Sequence, residues 1–211
     1  MVTSSLSPRL GHACGFAVSL IVLGCLLAGG CAYATSYVTL GPTLDAPMPE
    51  TGDQIAVRVE DGRKGVSRYE LGAKHVPAGW ESNTIDLKEK EFLTDHVATD
   101  IVALLRERGF RARDSRRSPS DPADRTVVVR IEQFYARVMV GGGTASASAV
   151  FVVEALPRGT DQPPRKEMIS TELSKKISLL GTDADCQEVV EGLYREVLRQ
   201  LREKIAAGFP Q

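Results

Sequence analysis

TVVVRIEQFYARVMVGGGTASASAVFVVEA, residues 126–155, decides the reading of the fold. Its first ten residues are dense in β-branched and aromatic side chains, the composition that suits a half-buried pleated surface. Gly141, Gly142 and Gly143 interrupt the run. Beyond them Ala145, Ala147, Ala149, Phe151, Val153 and Ala155 alternate with Ser146, Ser148, Val150, Val152 and Glu154. A period of two over that length predicts a strand with one face in a core and one in water. Two long strands joined through glycines predict an antiparallel hairpin. The proline-bearing stretch 158–164 turns the chain again. Residues 167–178 alternate less cleanly and are read as a third antiparallel strand.

On both sides of this meander the period changes. Phe92, Leu93, Val97, Ile101, Leu104 and Leu105 recur at three and four residues, which is one stripe of a helix, and Gly109 stands where such a helix stops. Val189, Val190, Leu193, Val197, Leu198, Leu201 and Ile205 mark a second helix over 183–206, with Asp183 or Asp185 at its N-terminus. Upstream, residues 55–59 alternate as a strand, Ile85 and Leu87 suggest a short one, and 67–71 and 110–113 read as extended. Strand, helix, three-strand meander, helix predicts an α+β two-layer sandwich. In it a mostly antiparallel sheet of about four strands carries two amphipathic helices on one face.

The 211 residues, 43% hydrophobic and 25% charged, suit one domain with additions. A formal net charge of −1 gives no bulk attraction for nucleic acid, so none is expected as a partner. The charge is unevenly spread: no Asp, Glu, Lys or Arg stands between Arg9 and Asp45. A short polar start with Arg9, a greasy stretch over 13–27 and the small residues Ala28, Gly29 and Gly30 are the order of a secretory signal peptide. The greasy stretch is also close to the ~20 residues of a spanning helix, so a retained anchor stays open.

Leu27-Ala28-Gly29-Gly30-Cys31 resembles the lipobox of bacterial lipoproteins, whose cysteine thiol takes a diacylglycerol and whose signal is cut just before it. Leu is the commoner residue three before the cysteine, where Ala28 stands, and Val22-Leu23-Gly24-Cys25 is a competing match. The resemblance implies a signal peptide over 1–30, a lipidated N-terminus and tether over 31–53, and a folded domain over 54–211. Ala32, not Asp, follows the cysteine, which by the same resemblance favours the outer membrane, facing the periplasm. Each buried methylene contributes ~0.8 kcal/mol, so two or three acyl chains such as palmitate hold a water-soluble domain permanently. Cleavage removes Cys14 and Cys25 and leaves Cys186 without a disulfide partner.

Taken together, several pieces resemble the YajG-like family of bacterial lipoproteins. They are Cys31, the extended lead 37–42, IAVRVEDGR at 55–63, the helix ending LRERGF at 105–110, VVVRIEQFY at 127–135 and the final amphipathic helix. The family has no assigned activity, so the resemblance implies an envelope location and transfers no catalytic residue.

Chemistry-bearing residues are sparse. His96, beside Asp95 and Asp100, lacks the second His or Cys four residues away that a helical metal pair needs, and His12 and His75 offer no such pair either, so no metal is assigned. Gly141-Gly142-Gly143-Thr144 lacks the lysine of a phosphate loop. No Gly-x-Ser-x-Gly elbow occurs, Cys186 has no basic neighbour in sequence, and no cofactor is expected. Arg106, Arg108, Arg111, Arg113, Arg116 and Arg117, followed by Arg125, concentrate one sign of charge and are a candidate contact for an anionic partner: lipid headgroups, lipopolysaccharide phosphates or an acidic protein. Interleaved acids, Glu107, Asp114, Asp121 and Asp124, favour a solvated helix end instead. The wet sheet face around Ser146 and Ser148 is the other candidate surface. The expectation is a non-enzymatic binding or assembly accessory of the cell envelope. The alternative is an auxiliary of a lipid or lipopolysaccharide export system.

Overall fold

Along the chain come β1 (Ser36–Val38), β2 (Gln54–Asp61), β3 (Glu70–His75), β4 (Asn83–Leu87), α1 (Leu93–Arg106), β5 (Arg111–Asp114), β6 (Arg125–Met139), β7 (Thr144–Pro157), β8 (Arg165–Lys176) and α2 (Asp183–Gly208). The computed structural model describes residues 35–41, 43–76, 83–88, 92–117, 123–157 and 164–208. The leader 1–30 and Cys31 lie outside the described residues.

The expected architecture is overturned. Eight strands, not about four, form one mixed and curled sheet in the order β1-β4-β3-β6-β2-β5, and β7 and β8 extend it from the other edge of β6. Four ladders are parallel: β1 with β4, β2 with β5, β2 with β6, and β3 with β6. Three are antiparallel: β3 with β4, β6 with β7, and β7 with β8. The reason is physical. A hairpin shows its pairing in its short turn, whereas a parallel pair is joined by a long crossover whose endpoints leave no local mark. β2 meets β5 only after α1 has intervened, and meets β6 later still. The strands β1, β3, β4 and β5 hold three to six residues each, too few for an alternation to stand out.

Strand β6 organises the sheet. One edge pairs with β7 along nearly its whole length. The other edge is divided: residues 125–131 pair with β2 and 136–139 with β3. A β-bulge between Ile131 and Gln133 marks the handover. Val127, Val129 and Ile131 point inward before it, and Phe134, Ala136 and Val138 after it, with Glu132 and Gln133 both exposed between. An extra residue on one strand does this: it bends the strand and shifts its phase by one. At the handover β3 passes so close to β6 that a Cβ on Gly72 would lie 2.0 Å from the Ala136 carbonyl oxygen, so only glycine fits.

The two helices pack on the buried face. α1 covers β2 and β5, and α2 covers β7, β8, β1 and β6. Ala145, Ala147 and Ala149 keep the β7 surface low beneath α2, while Phe134 meets Phe151 and Tyr194 edge to face at 6.5 and 6.4 Å. α1 ends in a Schellman motif: Gly109, at φ +85°, donates to the Arg106 carbonyl and Phe110 to the Leu105 carbonyl, and Phe110 is buried. At α2 the capping residue is Thr182. Its Oγ1 accepts from the Asp185 N–H at 3.3 Å while Asp185 Oδ2 accepts the Thr182 N–H at 2.8 Å, a reciprocal capping box.

Within 31–53, read as tether with 37–40 lying extended on the domain, the described residues up to Ala46 pack against the fold. Ser36–Val38 is a strand, and Val38, Leu40 and Ala46 are buried. The Leu44 N–H donates to Asp100 Oδ1 at 2.7 Å, and Tyr194 Oη donates to Asp100 Oδ2 at 2.5 Å. One carboxylate on α1, 2% exposed, thus fastens that segment and α2 together. Burial, and then the Asp100 charge, pushes the Tyr194 hydroxyl well above its ordinary range.

Candidate functional site

Polar side chains come together at several places among the described residues, and three of these places hold residues singled out in the sequence. The first lies on the sheet face turned away from the helices. Cross-strand register sets Tyr135, Ser148 and Glu172 in one row and Arg137, Ser146 and Ser174 in the next. The small serines lie between larger neighbours, and the result is a depression of about 560 Å³ lined by these residues with Gln133, Ala147 and Leu173. Gln133 Nε2 donates to Ser148 Oγ at 2.6 Å, closing the bulge side. Burial and the nearby Glu70 charge raise the Tyr135 hydroxyl, and Arg137 pulls it back in part. The hollow therefore offers a neutral phenol, a guanidinium, a carboxylate and hydroxyls over one floor. That is hydrogen-bonding chemistry for a polar or mixed-charge partner. Ser146 and Ser148, singled out in the sequence, are its floor. Tyr135, Arg137 and Glu172 were missed, because only the β6–β7–β8 register joins them.

The second place is a cleft of about 420 Å³ between residues 44–48, α1 and the end of β5. Of the six arginines, three line it: Arg106, Arg113 and Arg117. They are joined by the acids Asp45 and Asp114 and by apolar Leu44, Met48 and Val102. The cluster is not a uniform cationic patch. Arg106 spends its guanidinium internally, donating from Nε to the Ala112 carbonyl at 3.0 Å and from Nη1 to the Ala46 carbonyl at 3.2 Å. Arg116 is held by Asp114 at 2.8 Å and by Asp95 at 2.6 Å. Burial raises Asp114, but its hydrogen bonds with Arg116 and the charges of Arg116 and Arg117 prevail and hold the carboxyl low. Arg108 is half-buried, and Arg111 is exposed on the β5 edge.

The third place is the pole of the domain where β1 and β3 meet the start of α2. Ser36 Oγ donates to Asp183 Oδ1 at 2.5 Å, and Lys74 Nζ lies 3.7 Å from the same oxygen. Ser36 and Lys74 are buried at 0% and 1% exposure, while the Asp183 side chain is 70% exposed. Cys186 sits beneath them. Burial pushes its thiol up despite a hydrogen bond with Ser36 and the Lys74 charge, so it stays protonated and unreactive. Among the described residues no cluster of three or more His, Cys, Asp or Glu is placed to hold a metal ion. His75 ends β3, with its Nε2 buried and unpaired, and His96 lies half-buried on α1.

No family model matches this chain, and no curated protein does, so the YajG-like resemblance has no counterpart in either comparison. Solved structures align with this chain at TM-scores below 0.5. A DUF330 protein from Xanthomonas campestris aligns at TM-score 0.47 and 12% identity, over 81% of this chain and 91% of that one. A minor lipoprotein from Acinetobacter baumannii aligns at 0.36 and 12%, over 74% and 95%. The PelC dodecamer from Paraburkholderia phytofirmans aligns at 0.32 and 15%, over 71% and 94%. With TM-scores below 0.5 these likenesses carry no functional conclusion for the present chain.

Proposed function

We propose that this chain is a lipid-anchored protein of the bacterial envelope that acts by binding rather than by catalysis, with the outer sheet face as its contact surface. The observation that carries the reading is the leader ending at Cys31, five residues before the first strand. Processing there leaves acyl chains on a residue directly followed by a folded, water-facing domain. The outer membrane is the compartment favoured by Ala32. The hollow around Tyr135, Arg137 and Glu172 supports a protein or polar-ligand partner, since phenol and guanidinium groups over a small-residue floor make compact anchors.

The test has two arms. Intact mass of the purified protein is expected to show a chain beginning at Cys31 and bearing fatty acyl groups; an unprocessed or unacylated mass refutes the anchor. A photo-crosslinking residue at Ser148 is expected to capture an envelope component in living cells. Equal crosslinking at Ser148 and at exposed Lys64, on the β2–β3 connection, refutes the contact face.

The second reading, an auxiliary of lipid or lipopolysaccharide export, is favoured by the cleft beside α1. Leu44, Met48 and Val102 with Arg106, Arg113 and Arg117 offer apolar surface beside guanidinium groups, the pairing that suits a phosphorylated amphiphile. Lipid extracted from the purified protein, and lost in a Val102→Asp variant, would support it; lipid-free protein from native membranes would remove it.

A further inference from the structure

We infer that the pole of the domain bearing Leu179, Leu180 and Met139 rests on the membrane leaflet that holds the Cys31 acyl chains. The inference rests on the lipid anchor proposed above and adds an orientation to it. Large apolar side chains are exposed at eight described positions, and three of them belong to this one end: Leu179 at 66%, Leu180 at 60% and Met139 at 38%.

These leucines are not on a loose loop. Ser178 donates its N–H and its hydroxyl to Asp185, and Thr182 is boxed with the same carboxylate. The Gly141 N–H donates to the Leu179 carbonyl at 2.6 Å and the Gly181 N–H to the Ser178 carbonyl at 3.3 Å. Gly181, at φ +55°, is buried against Val138 and Val140. The backbone on both sides of the pair is therefore fixed while both side chains face outward. A held, outward apolar pair marks an interaction surface, because none of the described residues covers it.

The covalent chain identifies the partner. Ser36 is hydrogen-bonded to Asp183, which stands three residues after Leu180. Cys31 precedes Ser36 by five residues, and five extended residues reach at most about 18 Å. Acyl chains on Cys31 therefore hold this pole close to their leaflet. Leucines at that distance have hydrocarbon and headgroups as their natural neighbour. Exposed Lys176 and exposed Asp183 flank the pair with opposite charges, so the contact is apolar rather than electrostatic. The orientation has a consequence for the arginines. Arg125 begins β6 and Met139 ends it, fourteen steps and at most about 46 Å apart at ordinary strand rise, less with the bend at the bulge. Arg111 and Arg113 pair beside the beginning of β2, at that far end. The arginine-lined cleft thus faces away from the anchoring leaflet and does not serve its headgroups.

The test uses the full lipidated protein in vesicles of phosphatidylethanolamine and phosphatidylglycerol. A fluorophore is placed at Leu180→Cys or at Met168→Cys, and buried Cys186 gives the background. Met168 is also 66% exposed but lies near the other end of β8. Nitroxide-bearing lipid is expected to quench the Leu180 probe at least about twice as strongly as the Met168 probe, as for side chains seated ~5–10 Å into the interface. Raising the salt is expected to leave that ratio unchanged. Equal quenching of the two probes on a chain whose mass shows acylated Cys31 overturns the orientation alone. An unacylated chain overturns the anchor, and the orientation with it.

Discussion

Removing the Tyr194 hydroxyl tests the strongest internal tie. Asp100 is 2% exposed and accepts two hydrogen bonds, from the Leu44 N–H at 2.7 Å and from Tyr194 Oη at 2.5 Å. A bond to a charged acceptor contributes ~1.5–3 kcal/mol, and Tyr194→Phe deletes it while keeping the ring that packs against Phe134. At ~2–4 °C per kcal/mol for a chain of this size, the melting temperature is expected to fall by about 3–12 °C. Asp100→Ala is expected to cost more, ~3 kcal/mol or above, because the buried Tyr194 hydroxyl and the part-buried Leu44 N–H then lack an acceptor. Urea unfolding followed by circular dichroism, run on both single variants and the double, yields the coupling between the two groups. A coupling of ~1–3 kcal/mol is expected. A Tyr194→Phe variant within ~0.5 kcal/mol of the parent, the range of neutral surface changes, would refute the view that this carboxylate joins three elements.

Gly72→Ala is expected to cost ~3 kcal/mol or more, or to abolish soluble protein, since its methyl meets the Ala136 carbonyl at 2.0 Å; expression and thermal melting check it. Arg63, with a side chain 3% exposed, pairs with Asp61 at 2.8 Å and donates to the Glu70 and Arg68 carbonyls. Arg63→Ala is therefore expected to lose ~2–3 kcal/mol at neutral pH. Burial raises the Asp61 carboxyl, but Arg63 outweighs it and leaves the group below its usual range. That stabilisation is present above the unfolded value of ~3.9 and disappears as pH falls through the lower folded value, so the Arg63→Ala deficit is expected to shrink in acid. Asp86 has the opposite sign: burial raises it, against a hydrogen bond with Thr84, and its Oδ1 has no partner. Its penalty is absent in acid and grows as pH rises through the raised value, so Asp86→Asn is expected to gain stability at pH 7 and none near pH 3. Deleting Glu132 is expected to leave a folded protein, because the inward positions stay in step once the bulge is gone. Deleting Phe134 is expected to unfold it, because Tyr135 and Arg137 then turn into the core; circular dichroism separates the two cases.

Local signals were legible and long-range ones were not. The hairpin of β6 and β7 could be read because the Gly141–Gly143 break and the alanine alternation lie within one short window. α1 and α2 could be read because Val97, Ile101 and Leu105, or Val190, Leu193 and Val197, repeat within a few turns. The sheet around them could not. β2 pairs with β5 and β6, partners separated from it by α1 and several loops, and no property of Ile55 or Val57 names Ala112 or Val127 as a neighbour. The candidate sites divide the same way. Ser146 and Ser148 were visible as the polar phase of a strand. Tyr135, Arg137 and Glu172 come from two other strands and became neighbours only through register. The arginine run was visible as composition, but its pairing with Asp95, Asp114 and backbone carbonyls depends on how α1, β5 and residues 43–46 fold together.

One signal for the outer face was present in the sequence. Inward residues of β6 fall at 127, 129 and 131 and then at 134, 136 and 138, a change of phase at Glu132 and Gln133. A regular strand cannot make that change, so the residues themselves demand a bulge. The bulge has two structural effects. It ends the pairing of β6 with β2 and allows β3 to take over the same edge. It also sets Tyr135 and Arg137, not Phe134 and Ala136, on the face that β7 lines with serines. With the same residues but no bulge, strict alternation from Ile131 would place Gln133, Tyr135 and Arg137 against the helices, where an unpaired guanidinium would be costly. The curl of the sheet, the division of its edge and the polarity of the hollow thus share one cause. A surface made by such an irregularity, at the middle strand of the domain, is better placed for recognition than the arginine run, whose charges are largely answered within the fold.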